Sequence, residues 1–215
     1  MTPYTLYLVT DDQQDLNTLC RVVKQAIAGG VSLVQVREKQ GDVRTFIERA
    51  AAVKAVLSGS GVPLIINDRV DVALAVDADG VHLGQSDMPA TLARQLLGPD
   101  KLIGLSVENE QQFEQAQSLP VDYLGLSAIF ATPTKTNTVK HWGLDGLNWA
   151  MARSRLPMMA IGGLNTSNIA AVAQTGVHGI ALVSAISHAP DPQQAARELR
   201  LLIEQNRPDS LVRNS

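Results

Sequence analysis

Residues 63–87 read PLIINDRVDVALAVDADGVHLGQSD, and this stretch sets how the rest of the chain is read. Pro63-Leu64-Ile65-Ile66 and Val81-His82-Leu83-Gly84 are short strand-like runs. Polar residues follow each of them at once: Asn67 and Asp68 after the first, Asp87 just past the second. Short apolar runs bounded by turn residues read as buried strands. When parallel strands close into a barrel, the residues immediately after neighbouring strands converge on one face. Two carboxylates and an amide then meet, a donor set suited to a Mg2+ that also holds a substrate phosphate. Asp68 and Asp87 also have a plainer reading as helix N-caps, Asp87 in particular because Met88-Pro89 follows it.

The same unit recurs along the chain. Strand-like runs occupy residues 6–9, 32–36, 64–66, 81–83, 102–107, 123–129, 158–161 and 179–184. Helical patterns lie between them, at 16–28, 43–57, 110–119, 166–175 and 192–206. The first stops at Gly29-Gly30, and the last begins with Pro192 and exposes an Arg/Glu-rich face. Strands alternating with helices predict an α/β protein with a parallel sheet. Eight such units predict a single (β/α)8 TIM barrel over residues 1–206, with 207–215 a polar, flexible C-terminal tail. The competitor, a doubly wound open sheet, lacks support: Thr10-Asp11-Asp12-Gln13 follows the first strand where a glycine-rich dinucleotide fingerprint would stand.

Composition narrows the function. A net charge of −3 argues against nucleic-acid or anionic-membrane partners, which usually show as a basic excess. Cys20 is the single cysteine, so an intrachain disulfide is excluded and a cysteine-based zinc site is not expected. No run approaches the roughly 20 apolar residues of a membrane span, and Met1-Thr2-Pro3-Tyr4 has no basic n-region, so the expected location is cytoplasmic. The sequence carries no signature of oligomeric state.

Three further segments carry chemistry. On the second strand Gln35, Arg37 and Lys39 share one parity and Val34 and Val36 the other, so the polar three point into the barrel mouth. Inward polar groups need partners, and an anionic ligand or a network of neighbouring carboxylates would serve. The segment Phe130-Ala131-Thr132-Pro133-Thr134-Lys135-Thr136 offers hydroxyls and an ammonium to phosphate oxygens, although its composition also suits an ordinary polar loop. Ile161-Gly162-Gly163 and Val183-Ser184-Ala185 end strands seven and eight, where barrels of this class bind phosphate through backbone N–H groups. Together these imply two phosphate-bearing ligands in one mouth. Asp68, Asp87 and a diphosphate of about −3 sum to about −5, against about +5 from Arg37, Lys39, Lys135 and the divalent ion.

These residues resemble a known family. YLVTD (7–11), VQVREK (34–39), NDRVDVALA (67–75), DGVHLGQSD (79–87), TPTK (132–135), AIGG (160–163) and VSAI (183–186) occur in the order found in thiamine-phosphate synthases. The resemblance implies a (β/α)8 barrel that joins hydroxymethylpyrimidine diphosphate to hydroxyethylthiazole phosphate, or its carboxylated precursor, releasing diphosphate. It implies that Gln35, Arg37, Lys39, Asn67, Ser106 and Lys135 hold the pyrimidine diphosphate, with Arg37, Lys39, Ser106 and Lys135 catalytic. It implies Asp68 and Asp87 as Mg2+ ligands. Thr132, Thr134, Gly163, Val183 and Ser184 would bind the thiazole phosphate. In this family the pyrimidine methylene–oxygen bond breaks largely before the thiazole nitrogen attacks, so no nucleophilic Ser or Cys is needed.

The chain departs from the family after Lys135, where Thr136–Gly143 reads TNTVKHWG and Trp142 would be a lid element or a surface anchor. His82 reads as a strand residue with a satisfied hydrogen bond, and His141, His178 and His188 as surface or loop residues. Two other functions compete: a thiazole tautomerase, which needs an acid/base pair and no metal, and a non-catalytic sensor of thiazole phosphate. Neither has an evident use for both aspartates together with the basic set of strand two.

Overall fold

The computed structural model describes residues 4–132 and 141–208. Among these, eight parallel strands close into a barrel in chain order: β1 (Leu6–Val9), β2 (Leu33–Val36), β3 (Leu64–Asn67), β4 (Gly80–Leu83), β5 (Leu102–Val107), β6 (Tyr123–Ser127), β7 (Met158–Ile161) and β8 (Gly179–Leu182). The connecting helices are α1 (Leu16–Ala28), α2 (Val43–Leu57), α3 (Val70–Ala75), α4 (Ala90–Leu97), α5 (Glu110–Ala116), α6 (Gly143–Met151), α7 (Ile169–Gln174), α8 (Ser184–Ser187) and α9 (Pro192–Asn206). The expected (β/α)8 barrel is the observed fold.

Alternation along each strand divides the core into two layers. Val34, Val36, Leu64, Ile66, Val81 and Leu83 face outward and pack with Leu19, Val23, Ala50 and Val53 of the helices. Tyr7, Val9, Leu33, Ile65, Tyr123, Met159 and Ala181 face inward and fill the barrel floor. Side-chain caps start the longer helices: Asp15 accepts from the Thr18 N–H at 3.0 Å, Asp42 from Thr45 at 2.8 Å and Asp191 from Gln194 at 3.0 Å. Helix α9 packs against α1 and α7, closing the outer ring.

The structure shortens two strands at their C-terminal ends. The sixth ends at Ser127 and the eighth at Leu182, where Val183 turns the backbone into the four-residue helix α8. An apolar run such as Val183–Ile186 does not by itself distinguish strand from helix. Arg207, read above as the first residue of the tail, is tied to the barrel: it donates to Thr5 Oγ1 at 3.1 Å and to the His178 carbonyl at 2.6 Å. Residues 209–215 lie outside the described residues. Trp142 is neither lid nor surface anchor. It is buried, 6% exposed, and stacks on Trp149 with ring centroids 6.3 Å apart, just ahead of α6.

Candidate active site

The C-terminal ends of the strands open into a cavity of about 1040 Å³. Its walls include Gln35, Arg37, Lys39, Asn67, Asp68, Asp87, Ser106, Thr132, Gly163, Val183 and Ser184, each a residue expected at the site from the sequence. Thr134 and Lys135 lie outside the described residues. Strand parity explains the β2 contribution: Gln35 is buried in the barrel, and Arg37 and Lys39 rise above it on the same side. Glu38 turns the other way and pairs with the buried Arg49 of α2 at 2.6 Å. Burial pushes the Glu38 carboxyl above its ordinary range, and Arg49 opposes the shift. Arg37 approaches Asp12 at 3.8 Å, and the Lys39 ammonium is hydrogen-bonded to Asp68.

The two aspartates do not cap helices. The cap positions of α3 and α4 are Arg69 and Pro89, neither with a side-chain cap bond. Asp68 instead has φ 62°, a left-handed conformation that Asp tolerates better than most residues, and its N–H donates to the His82 carbonyl at 2.8 Å. Asp87 folds back so that its Oδ2 accepts the Gly84 N–H at 2.7 Å. Burial raises the Asp87 carboxyl above the usual carboxylate range, and hydrogen-bonding contact with Asp68 pushes it further the same way. Two carboxylates in contact, with a lysine ammonium on one of them, form a place that favours positive charge. Asn67 adds a buried Nδ2 with no hydrogen-bond partner among the described residues.

This donor set fits a divalent cation of the oxygen-preferring kind. Mg2+ is commonly held by one or two carboxylates, with waters and substrate phosphates completing its shell. No cluster of three or more His, Cys, Asp or Glu side chains occurs among the described residues, so a cation here would lean on a phosphate ligand.

On the opposite wall, Gly162 and Gly163 have φ of 99° and 69°. A Cβ at Gly162 would lie 2.6 Å from Ala128 Cβ, and one at Gly163 2.6 Å from the Ala131 carbonyl oxygen. Only glycine lets this loop pack against the β6 loop with its backbone facing the cavity. Beside it Val183 and Ser184 lead into α8, whose first N–H groups lack intrahelical acceptors.

Sequence reasoning missed the cavity floor. Tyr7, Tyr123 and His82 point inward between Gln35 and Ser106, joined by hydrogen bonds. The readable signal was the inward parity of Tyr7 beside Val9 on β1, a polar tip aimed at the barrel axis. His82 does have the satisfied hydrogen bonds expected of it.

Comparison with known proteins decides the family. A family model described as thiamine monophosphate synthase matches residues 6–186. The chain belongs to that family. It is 70% identical over 199 residues to a thiamine-phosphate synthase of Vibrio campbellii, covering 93% of this chain and 98% of that one. A thiamine-phosphate synthase of Albidiferax ferrireducens is 52% identical over 200 residues, covering 93% and 91%. Among solved structures, the thiamine phosphate pyrophosphorylase of Pyrococcus furiosus superposes with a TM-score of 0.86 at 36% identity, covering 94% and 96%. The 3-hexulose-6-phosphate synthase of Salmonella typhimurium, at TM-score 0.73, 16% identity and coverage of 93% and 99%, shares the fold alone. Membership of the thiamine monophosphate synthase family makes the chain an enzyme, a transferase of thiamine biosynthesis. Among the described residues, no helix is long and apolar enough to cross a membrane.

Proposed function

We propose that the chain condenses 4-amino-5-hydroxymethyl-2-methylpyrimidine diphosphate with hydroxyethylthiazole phosphate to give thiamine phosphate and diphosphate, or with its carboxylated precursor to give the same products and carbon dioxide. One observation carries this reading: two ends suited to anions face each other across one cavity. A cationic, carboxylate-bearing end lies behind β2–β4, and a glycine-backbone end behind β7 and β8. In this assignment Gln35, Arg37, Lys39, Asn67, Ser106 and Lys135 surround the pyrimidine diphosphate. Thr132, Thr134, Gly163, Val183 and Ser184 hold the thiazole phosphate. The unpartnered Asn67 Nδ2 finds its acceptor in the ligand.

Asp68 and Asp87 are the residues that would hold Mg2+, which when bound supplies positive charge against the leaving diphosphate. The bond from the pyrimidine methylene to oxygen breaks with its electron pair passing to diphosphate, and the thiazole nitrogen lone pair forms the new carbon–nitrogen bond. That nitrogen carries no proton in the aromatic thiazole, so the step needs no general base. Arg37, Lys39 and Lys135 stabilise charge as it develops on the departing oxygen. Lys39 exchanges its bond with Asp68 for one with the diphosphate. The walls hold the two substrates in line, converting a bimolecular encounter into a positioned one.

The test is to incubate the purified protein with both substrates, in Mg2+ or in EDTA, and to follow both products. Equal formation of thiamine phosphate and diphosphate, dependent on the metal, is expected. Thiazole-phosphate binding without product would overturn the synthase reading in favour of a tautomerase or a sensor, which proton exchange on the thiazole separates.

A further inference from the structure

The floor of the cavity is crossed by an unbroken row of polar side chains. Gln35 Nε2 donates to the Tyr7 hydroxyl at 2.5 Å, and the Tyr7 and Tyr123 hydroxyls lie 3.0 Å apart. Tyr123 meets His82 Nδ1 at 3.1 Å, and His82 Nε2 meets Ser106 Oγ at 2.9 Å. Tyr7 and Tyr123 are 1% and 0% exposed. Burial holds both phenols above their ordinary range, so each keeps its proton.

The barrel is shaped to hold this row. A Cβ at Gly104 of β5 would lie 2.2 Å from the Tyr123 ring and 2.4 Å from His82 Nδ1, and one at Gly125 of β6 3.0 Å from the His82 ring. Gly104 is in register with both His82 and Tyr123, and Gly125 with Ser106. Two inward positions thus lack side chains where the two rings need the space.

A row of this kind has a direction, because a neutral phenol donates one proton only. With Gln35 donating to Tyr7, the order that leaves neither buried hydroxyl proton without an acceptor has Tyr7 donating to Tyr123 and Tyr123 to His82 Nδ1. The imidazole proton then sits on Nε2 and is donated to Ser106 Oγ. Ser106 is left with its hydroxyl proton for the cavity, and Gln35 with its Oε1 as acceptor. Both residues line the cavity, from β2 and β5.

We propose that the Tyr7–Tyr123–His82 row positions Gln35 and Ser106 and fixes one as acceptor and the other as donor, so that the floor selects an amino-substituted pyrimidine over its oxo counterpart. An aminopyrimidine offers an N–H donor on one edge and an unprotonated ring nitrogen on another. The oxo tautomer inverts that pattern, setting its carbonyl against Gln35 Oε1 and leaving buried polar groups opposed. Tyr7, Tyr123 and His82 are positioning residues here, acting through Gln35 and Ser106. The inference rests on the pyrimidine assignment above and adds how the ring is discriminated.

The test uses binding, without the thiazole partner, so that it does not depend on turnover. Hydroxymethylpyrimidine diphosphate and its 4-oxo analogue are titrated calorimetrically into the wild type and into Tyr7→Phe and Tyr123→Phe. Each variant removes one oxygen and keeps the ring that fills the floor. The wild type is expected to prefer the amino compound by about 100-fold or more. Each variant is expected to cut that preference about tenfold, with thiazole-phosphate affinity unchanged within about twofold. Nitrogen-15 shifts of His82 in the wild type should report the Nε2–H tautomer. Equal loss of both pyrimidines in the variants, an unchanged preference, a wild type that does not discriminate, or an Nδ1–H tautomer would each overturn the inference. Failure of thiamine phosphate synthesis with discrimination intact would strike the proposed reaction and leave the row's role standing.

Discussion

Asp87→Asn preserves the side chain's shape and an oxygen to accept the Gly84 N–H, and removes only the charge. In the metal-free protein that charge is unfavourable: burial and the touching Asp68 carboxylate both disfavour it, and they outweigh the Gly84 bond and the smaller attraction of Lys39. Two like charges about 4 Å apart repel by about 1 kcal/mol in water and about 4 kcal/mol at an effective dielectric constant of 20. Asp87 is only half-buried, so screening keeps the effect at the low end, and the lost Lys39 attraction subtracts from it. A net stabilisation of about 1 kcal/mol remains, equivalent to about 2–4 °C in Tm for a chain of this size. Calorimetry in EDTA should therefore show Asp87→Asn melting higher than the wild type. Added Mg2+ and diphosphate should raise the wild-type Tm by mass action and leave the variant unmoved. Synthase activity should fall steeply, so that the residue trades stability for function. A lower Tm in EDTA would refute the charge argument, and a Mg2+-dependent rise equal to that of the wild type would refute Asp87 as a ligand.

Three further outcomes are expected. Arg49→Met strands the buried Glu38 carboxylate, which should cost about 3–5 kcal/mol and lower Tm by about 10 °C; adding Glu38→Gln should recover at least half of the loss in the same melting assay. Gly163→Ala places a methyl 2.6 Å from the Ala131 carbonyl oxygen at a φ of 69°, and steady-state kinetics should show KM for the thiazole phosphate rising about tenfold while that for the pyrimidine diphosphate stays within about twofold. Burial and Arg207 depress the His178 pKa below its ordinary value of about 6.5, while its Nδ1 accepts the Met158 N–H at 3.1 Å. On acidification the unfolded chain takes up this proton first, so the contribution is complete above about pH 6.5 and is lost as pH falls toward the lower folded value. His178→Gln should flatten the fall of Tm between about pH 7 and 5, and an unaltered slope would exclude this residue as a source.

The charged half of the site was legible because it depends on local rules. Inward parity follows from period-two alternation, so Gln35, Arg37 and Lys39 could be set on one side of β2 without knowing what lay opposite. Parallel strand order then brought Asn67, Asp68 and Asp87 to the same end, and the glycine pair after β7 to the facing wall. The helix-cap alternative for the aspartates was not separable from sequence, since an Asp ahead of a helix looks alike whether it caps or turns away. Deciding it took the left-handed backbone of Asp68 and the fold-back of Asp87 onto Gly84.

By itself, the sequence determined the layering, the closure into eight strand–helix units and the charged rim, because each is carried by spacing along the chain, and its motifs resembled the family. Tertiary structure alone decided what meets across the barrel axis. Tyr7 and Tyr123 are 116 positions apart and share a hydrogen bond, His82 and Tyr123 are 41 apart, and interior glycines on two other strands make room for them. Trp142 went the same way: its burial against Trp149 depends on how the β6 loop enters α6, which no local pattern states. Contacts between residues of unrelated sequence position arise from strand register and barrel curvature, and a one-residue slip in either would turn the floor's polar groups outward.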